Sequence, residues 1–599
     1  MENKKQAIIL SVVAIVALLS LILGATFAYF RASGNSGSST NVNVTTYTSD
    51  LLTFEIGDDI AVYADQTSFA SGKGNATGST YAKATLVANN KTNEATKNYY
   101  VYLNISENTF TYTQNESTPE LLLTIKDTSG NEITSITSLT HKTVTDGKGA
   151  SISGFDITTK SGVITLFDNR EITANPAKTE EWNITVTFVN YNANQTGNAG
   201  KSFNAKLMIQ QEEYELTLAD ICAGKTLSDC VISQYTGTQG DNALYYHNST
   251  LTNGAGDNSY RYAGGDYVLT EAGKATGATM MIGYNNTVTT ALIDFYCNGT
   301  KQYVGYASSC STSHYYLIKG DTTQYQTYNE ALNASVEKGY LTKDNVKNFV
   351  CFGSDATTCP TENLYRIIGV FNNHVKLIKY DYAKSSLLGT DGDFLQEYTS
   401  NYFSGEQGES PSSNSLYYWN NAGTNTWSES NLNKINLNTN FVNNIGTIWA
   451  KKIATTTWKV GGGSWDNIAG SVPKTAYQYE VGSNASSTTY EAKIGLMYVS
   501  DYYYSASPSA WTLVGWNESD ATKDYRFSKG ENWLYGGGWD WTISRISGNS
   551  NGAFEVYIGG CVFNDNVSDG YGVRPSFSLF SSTTYVSGSG SMSDPIRIN

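Results

Sequence analysis

The chain predicts a mainly β, multidomain protein: an antiparallel β-sandwich in its N-terminal half and an α+β domain at its C-terminal end. Three observations carry this. Short apolar runs recur between clusters of Asn, Gly, Ser and Asp, the punctuation of strands and turns. Charged residues make up only 16% while Tyr reaches 44, a composition suited to half-buried pleated strands. Ten of the eleven tryptophans lie beyond residue 350, so the last portion is built differently from the first. A chain of 599 residues also exceeds what one core supports.

Residues 1–33 read as a signal peptide or membrane anchor. The run Ala7–Phe30 carries no charge, follows Lys4 and Lys5 and is long enough to cross a bilayer with the lysines on the cytoplasmic side. Thr26-Phe27-Ala28 offers small residues to a signal peptidase, with cleavage after Ala28; retention as an anchor is the other reading. Either way the expected location is extracellular, secreted or tethered to the outer face of the membrane, with the membrane touched only through this segment.

Residues 34–212 are expected to form the sandwich. Residues 31–50 read as a spacer or an early edge strand. Strands follow at Leu51–Ile56, Ala82–Val87, Tyr99–Ile105, Leu121–Ile125, Glu181–Val189 and Phe203–Ile209. Trp182, Ile184, Val186 and Phe188 recur at period two and so face a core. Residues 213–350 read as a connecting region. It has strand, turn and strand over Tyr245–Tyr262, an insertion over 264–347 with strands Ala291–Cys297 and Tyr315–Ile318, and a helix over Tyr325–Lys338.

Residues 351–599 form the C-terminal domain, with a start near 245 as the alternative. Asn372-Asn373 between apolar runs marks a hairpin. Ser428 or Ser430 opens a helix bearing Leu432 and Ile435. Phe441, Ile445, Ile448, Trp449 and Ile453 have the spacing of a second one. Strands are expected at Ile494–Val499, Trp539–Ser544, Phe554–Ile558 and Gly572–Leu579.

Seven cysteines fall as three close pairs, Cys222 with Cys230, Cys297 with Cys310 and Cys351 with Cys359, leaving Cys561. None has C-x-x-C spacing. Outside the cell short-loop disulfides are the natural reading, and reduced thiols the rival. A net charge of −15 argues against nucleic acid as a partner. No cofactor and no metal are expected. Asp391, Asp393 and Glu397 begin like a calcium loop, but Leu395 stands where a ligand is needed. The four histidines (His141, His247, His314, His374) are far apart, and no H-E-x-x-H occurs.

Ser547–Gly570 is rich in Asn, Ser, Asp, Gly and Tyr, the vocabulary of recognition loops, and apart from Glu555 has no Lys, Glu, Gln, Met or Trp. Candidate ligand-binding residues are Asn549, Asn551, Tyr557, Asn564, Asp565, Asn566 and Asp569, with Trp539 and Trp541 as either core or a stacking platform. An ordinary surface loop is the bland alternative. Arg574 reads as a structural ion pair or a clamp on backbone carbonyls.

Two resemblances add to this. Gly24-Ala25-Thr26-Phe27-Ala28-Tyr29-Phe30 with Trp182–Val186 and Phe203–Leu207 resembles the TasA/camelysin family of secreted biofilm-matrix proteins. That resemblance implies a jelly-roll-like sandwich and self-assembly into fibres by strand donation. Trp427–Ser430, Trp541–Arg545, Tyr571-Gly572-Val573-Arg574-Pro575-Ser576-Phe577 and Gly588–Gly590 resemble bacterial C-type-lectin-like and formylglycine-generating-enzyme-like domains. It implies a ligand face in the segment before G-V-R-P, which retroelements diversify in some families. The enzyme's paired cysteines have no counterpart, since this portion offers only Cys561, so no enzymatic activity is expected. The expectation is an exported, adhesin-like binding protein for a surface glycan or protein ligand. The alternative is a fibre-forming matrix protein.

Overall fold

The computed structural model describes residues 49–65, 73–89, 94–115, 118–136, 138–283, 289–302, 310, 312–343, 345–398 and 414–599. The leader, Ala28 and most of the 31–50 spacer lie outside the described residues. Among the described residues the protein is mainly β, with 39% strand against 17% helix. It divides into two compact units, Met1–Ala223 and Gly224–Asn599. Among the described residues no helix is long and apolar enough to cross a membrane.

Among the described residues unit 1 is a β-sandwich of ten strands: β1 (Leu51–Ile56), β2 (Ile60–Ala64), β3 (Ala76–Val87), β4 (Ala95–Asn108), β5 (Leu121–Asp127), β6 (His141–Thr145), β7 (Ser151–Asp156), β8 (Gly162–Ala174), β9 (Ala177–Phe188) and β10 (Lys201–Gln210). One sheet runs β1-β3-β9-β5-β7-β6 and the other β2-β10-β4-β8, all antiparallel. The alternation seen in the sequence is the cause. In β9, Trp182, Ile184, Val186 and Phe188 are buried, and they meet Leu103, Ile105, Phe203 and Leu207 of the other sheet in one core. Each such side chain contributes about 1.5–3 kcal/mol of burial. Inside this core Tyr99 Oη donates to Glu180 Oε2 (2.7 Å) and accepts from Trp182 Nε1 (3.0 Å), while Arg170 Nε donates to Glu180 Oε2 (2.9 Å). That network satisfies the polar ends of an otherwise apolar interior.

Unit 2 is α+β. Its largest sheet has seven strands, including Leu244–Tyr246, Tyr260–Tyr262, Leu364–Phe371, His374–Lys379 and Ser576–Ser578. The Leu364–Phe371/His374–Lys379 hairpin turns at Asn372 and Asn373, with φ of 48° and 64°, the left-handed pair that a two-residue hairpin demands. The insertion holds strands at Ala291–Cys297 and His314–Ile318 and a helix at Tyr328–Glu337 over their own small core. Trp419, Trp427, Trp449, Trp458, Trp511, Trp533 and Trp541 are buried, so most of the tryptophan excess serves packing.

Three expected elements differ. The helix expected through Phe441–Ile453 is instead the end of a segment running Leu432–Phe441 into Val442–Asn444, then a separate turn Thr447–Ala450 after a break at Gly446 (φ 85°), and Ile448 is 67% exposed. Ile494–Val499 is strand only over Ile494–Gly495, because Val499–Tyr504 is helical. The remote Glu480 carboxylate accepts from Val499 N–H and Ser500 N–H at 2.9 and 2.7 Å, and the local Asp501 accepts from Tyr498 N–H at 2.8 Å, so the helix start is capped from two sides. Gly572–Leu579 narrows to Ser576–Ser578, since Pro575 has no N–H to give a ladder.

Two of the expected cysteine pairs are disulfide-bonded within unit 2. Cys297–Cys310 and Cys351–Cys359 have Cα separations of 6.0 and 5.9 Å, and Cys222 and Cys230 are likewise in disulfide linkage. Such bonds suit an oxidising compartment. Cys561 is a buried free thiol.

Candidate functional site

The site is built on a three-stranded sheet, Asp540–Arg545, Gly552–Val556 and Val562–Asn566. Register sets its two faces. Trp541 stands opposite Glu555, Glu555 opposite Phe563, and Ala553 opposite Asp565. Directly opposed residues share a face, so Trp541, Glu555 and Asp565 project together, while Phe554, Asn564 and Asn566 project to the other side.

Tyr571 completes the first face. Its strand, Gly570–Tyr571, pairs with Asn414–Tyr418. The Tyr571 ring lies 4.7 Å from Trp541 and 6.1 Å from Trp539, nearly parallel to the latter at 12°. Trp539 also meets Tyr557 edge-on at 5.5 Å. Trp539, Tyr557 and Tyr571 are half-buried and Trp541 is 0% exposed. Trp541 Nε1 donates to Tyr417 O at 2.9 Å, so this ring is the floor of the face rather than a surface for a ligand.

The acids give the face its electrostatics. Tyr571 Oη donates to Asp565 Oδ2 at 2.5 Å. Burial and that hydrogen bond, with the fields of Glu555, Asp565 and Asp569, push the Tyr571 hydroxyl far up. Glu555 is 0% exposed; burial, then the charges of Asp565 and Asp540, push its carboxyl well above the usual carboxylate range. Asp569 is raised by burial and by Asp565.

The other candidate residues separate from this face. Asn549 and Asn551 are exposed in the turn between the first two strands, and Asn551 Nδ2 donates to Asn566 Oδ1 at 2.9 Å. Asn425 Nδ2 donates to the carbonyls of Ile546, Asn549 and Gly552, fixing that turn. Asn564 is half-buried on the opposite face. The structure therefore gathers Trp539, Trp541, Tyr557, Asp565 and Asp569, and leaves Asn549, Asn551, Asn564 and Asn566 elsewhere. It adds Glu555 and Tyr571, which sequence reasoning missed. The signal for Glu555 was present: a single acid inside an apolar strand.

The G-V-R-P segment is structural support. Arg574 Nε donates to Asp540 Oδ2 at 2.5 Å and Nη2 to Leu534 O at 2.7 Å, so it is both an ion pair and a carbonyl clamp. Burial outweighs this pairing and raises the Asp540 carboxyl to about 6. At Gly572 any Cβ would meet the Tyr382 ring at 2.2 Å, which explains the glycine.

Asp391, Asp393 and Glu397 are engaged separately, Asp391 with Asn440, Asp393 with the N–H groups of Asn421 and Leu432, and Glu397 with Ser415. Among the described residues no group of three or more His, Cys, Asp or Glu is placed to hold a metal ion.

No family model matches the chain, and no curated protein matches it. The functional reading therefore rests on the residues themselves.

Proposed function

We propose that the chain is an exported, adhesin-like binding protein whose C-terminal unit recognises a glycan or protein ligand on another surface without turning it over. The observation that carries this is the face of Trp539, Tyr557 and Tyr571, three half-buried rings of which Trp539 meets the other two, beside Asp565 and Asp569. Rings that keep part of their surface in water, next to hydrogen-bonding acids, suit stacking recognition. The resemblance of Tyr571–Phe577 to lectin-like domains supports the same face. The apolar leader and the disulfides support export. The enclosed Cys561 thiol, which burial holds protonated, is a poor nucleophile, and this favours binding over catalysis. A glycan and cell-surface array probed with the full chain and with Trp539→Ala tests the reading: signal above control that the substitution removes supports it.

A second reading is a matrix protein that forms fibres through unit 1. It is favoured by the edge positions of β1 and β6 in the six-stranded sheet, where an added strand can pair. Electron microscopy separates the two, since ordered filaments favour fibres and monodisperse particles favour the adhesin.

A further inference from the structure

Unit 2 compensates its buried acids with care, except at this face. Asp540 pairs with Arg574, Asp501 with Lys376 and Asp524 with Arg526. Glu480 and Asp393 each accept two backbone N–H bonds. Glu555 is buried as deeply, yet neither Oε1 nor Oε2 has a hydrogen-bond partner. Its charged neighbours are Asp565 and Asp540, both acids, and Asp565 also acts on Asp569. Among the described residues no Lys, Arg or His pairs with Glu555, Asp565 or Asp569. A buried acceptor left unpaired is costly, and acids gathered without a cation add repulsion to that cost.

We propose that this cluster seats an organic cation: the guanidinium or ammonium group of an arginine or lysine side chain presented by a protein partner. This deepens the recognition reading above and rests on it. The chemistry fits at three points. A guanidinium carries five N–H donors, enough to satisfy both Glu555 oxygens and Asp565 together. The π faces of Trp539, Tyr557 and Tyr571 attract a cation and pack against its aliphatic stem. The carboxyls are not grouped to hold a metal ion among the described residues, which favours an elongated cation over a point charge. A neutral sugar would leave Glu555 as it is. Because Glu555 is enclosed, the cation reaches it by moving Tyr557 or Tyr571, and it takes over the Asp565 oxygen to which Tyr571 Oη now donates. The net charge of −15 steers a basic partner inward.

The test is calorimetric titration of the full chain with a hexa-arginine peptide and with its citrulline counterpart, which keeps the shape and loses the charge. The arginine peptide is expected to bind about tenfold tighter or better. The double substitution Glu555→Gln/Asp565→Asn is expected to remove about tenfold of that affinity. Glu212→Gln/Glu215→Gln replaces two carboxyl groups at exposed positions and is expected to cost less than about twofold. Should the buried pair fail to fold, Asp569→Asn at a half-buried position is expected to weaken binding about threefold with melting unchanged. Equal binding of the citrulline peptide, or equal losses in the two double variants, overturns the proposal. If Trp539→Ala abolishes array binding while the arginine peptide fails to compete, the recognition face stands and the cation assignment falls. If Trp539→Ala changes neither, both fall.

Discussion

Tyr571 Oη donates to Asp565 Oδ2 at 2.5 Å, so the residue just before the G-V-R-P run holds an acid of the Ser547–Gly570 segment. The same hydroxyl blocks the oxygen that an incoming cation would use. Tyr571→Phe keeps the ring beside Trp541 and frees that oxygen. It is expected to tighten arginine-peptide binding about threefold while lowering stability by about 1 kcal/mol. Calorimetry and chemical denaturation read the two effects, and weaker binding would count against displacement of the hydroxyl.

Trp539 and Trp541 are two residues apart on one face but have different work. Trp541→Ala removes an enclosed ring and its bond to Tyr417 O, and is expected to cost about 3–5 kcal/mol in denaturant unfolding. Trp539→Ala, at a half-buried position, is expected to cost about 1 kcal/mol or less. Equal costs would mean that Trp539 is core as well.

Glu555 makes stability depend on pH in a predictable sense. Its folded carboxyl is raised above the ordinary 4.5, so between that value and the folded one the native chain holds a proton that the unfolded chain has lost. The native state then binds more protons, and its stability falls as pH rises through this window. Glu555→Gln lacks the effect. The stability difference in favour of the variant is expected to grow above pH 4.5 by up to about 1.4 kcal/mol per pH unit. Parallel stability curves for the two proteins would refute the assignment.

Intact mass without reductant, before and after alkylation under denaturing conditions, is expected to show one alkylated thiol, Cys561, and three disulfides. Replacing Cys351 and Cys359 by serine is expected to lower stability by about 2–3 kcal/mol. More than one modified thiol in the untreated protein would contradict the pairing.

The fold was legible where a local pattern decides it. The period-two run of Trp182–Phe188 and the Asn372-Asn373 turn read directly, because side-chain alternation and positive φ are properties of neighbouring residues. The start of the Val499–Tyr504 helix was not, because two of its first N–H groups are held by Glu480, far away in sequence. The periodicity from Phe441 to Ile453 misled because Gly446 interrupts it, which a spacing count ignores.

The site was legible as a segment and not as a face. Composition marked Ser547–Gly570, but a recognition vocabulary says nothing of which side of a sheet each residue takes. Register separates Asp565 from Asn564 and Asn566, and it brings in Glu555, which composition had set aside. Tyr571 escaped because the motif around it drew attention to Arg574, whose work is to neutralise Asp540.

The central claim is that the aromatic and acidic face of the C-terminal unit recognises a ligand on another surface. The most direct measurement is the glycan and cell-surface array probed with the full chain and with Trp539→Ala. The account predicts a signal from the full chain that falls about tenfold or more in the variant, with the melting temperature held to within a few degrees. No signal above control from the full chain, or the same signal from both proteins, contradicts it.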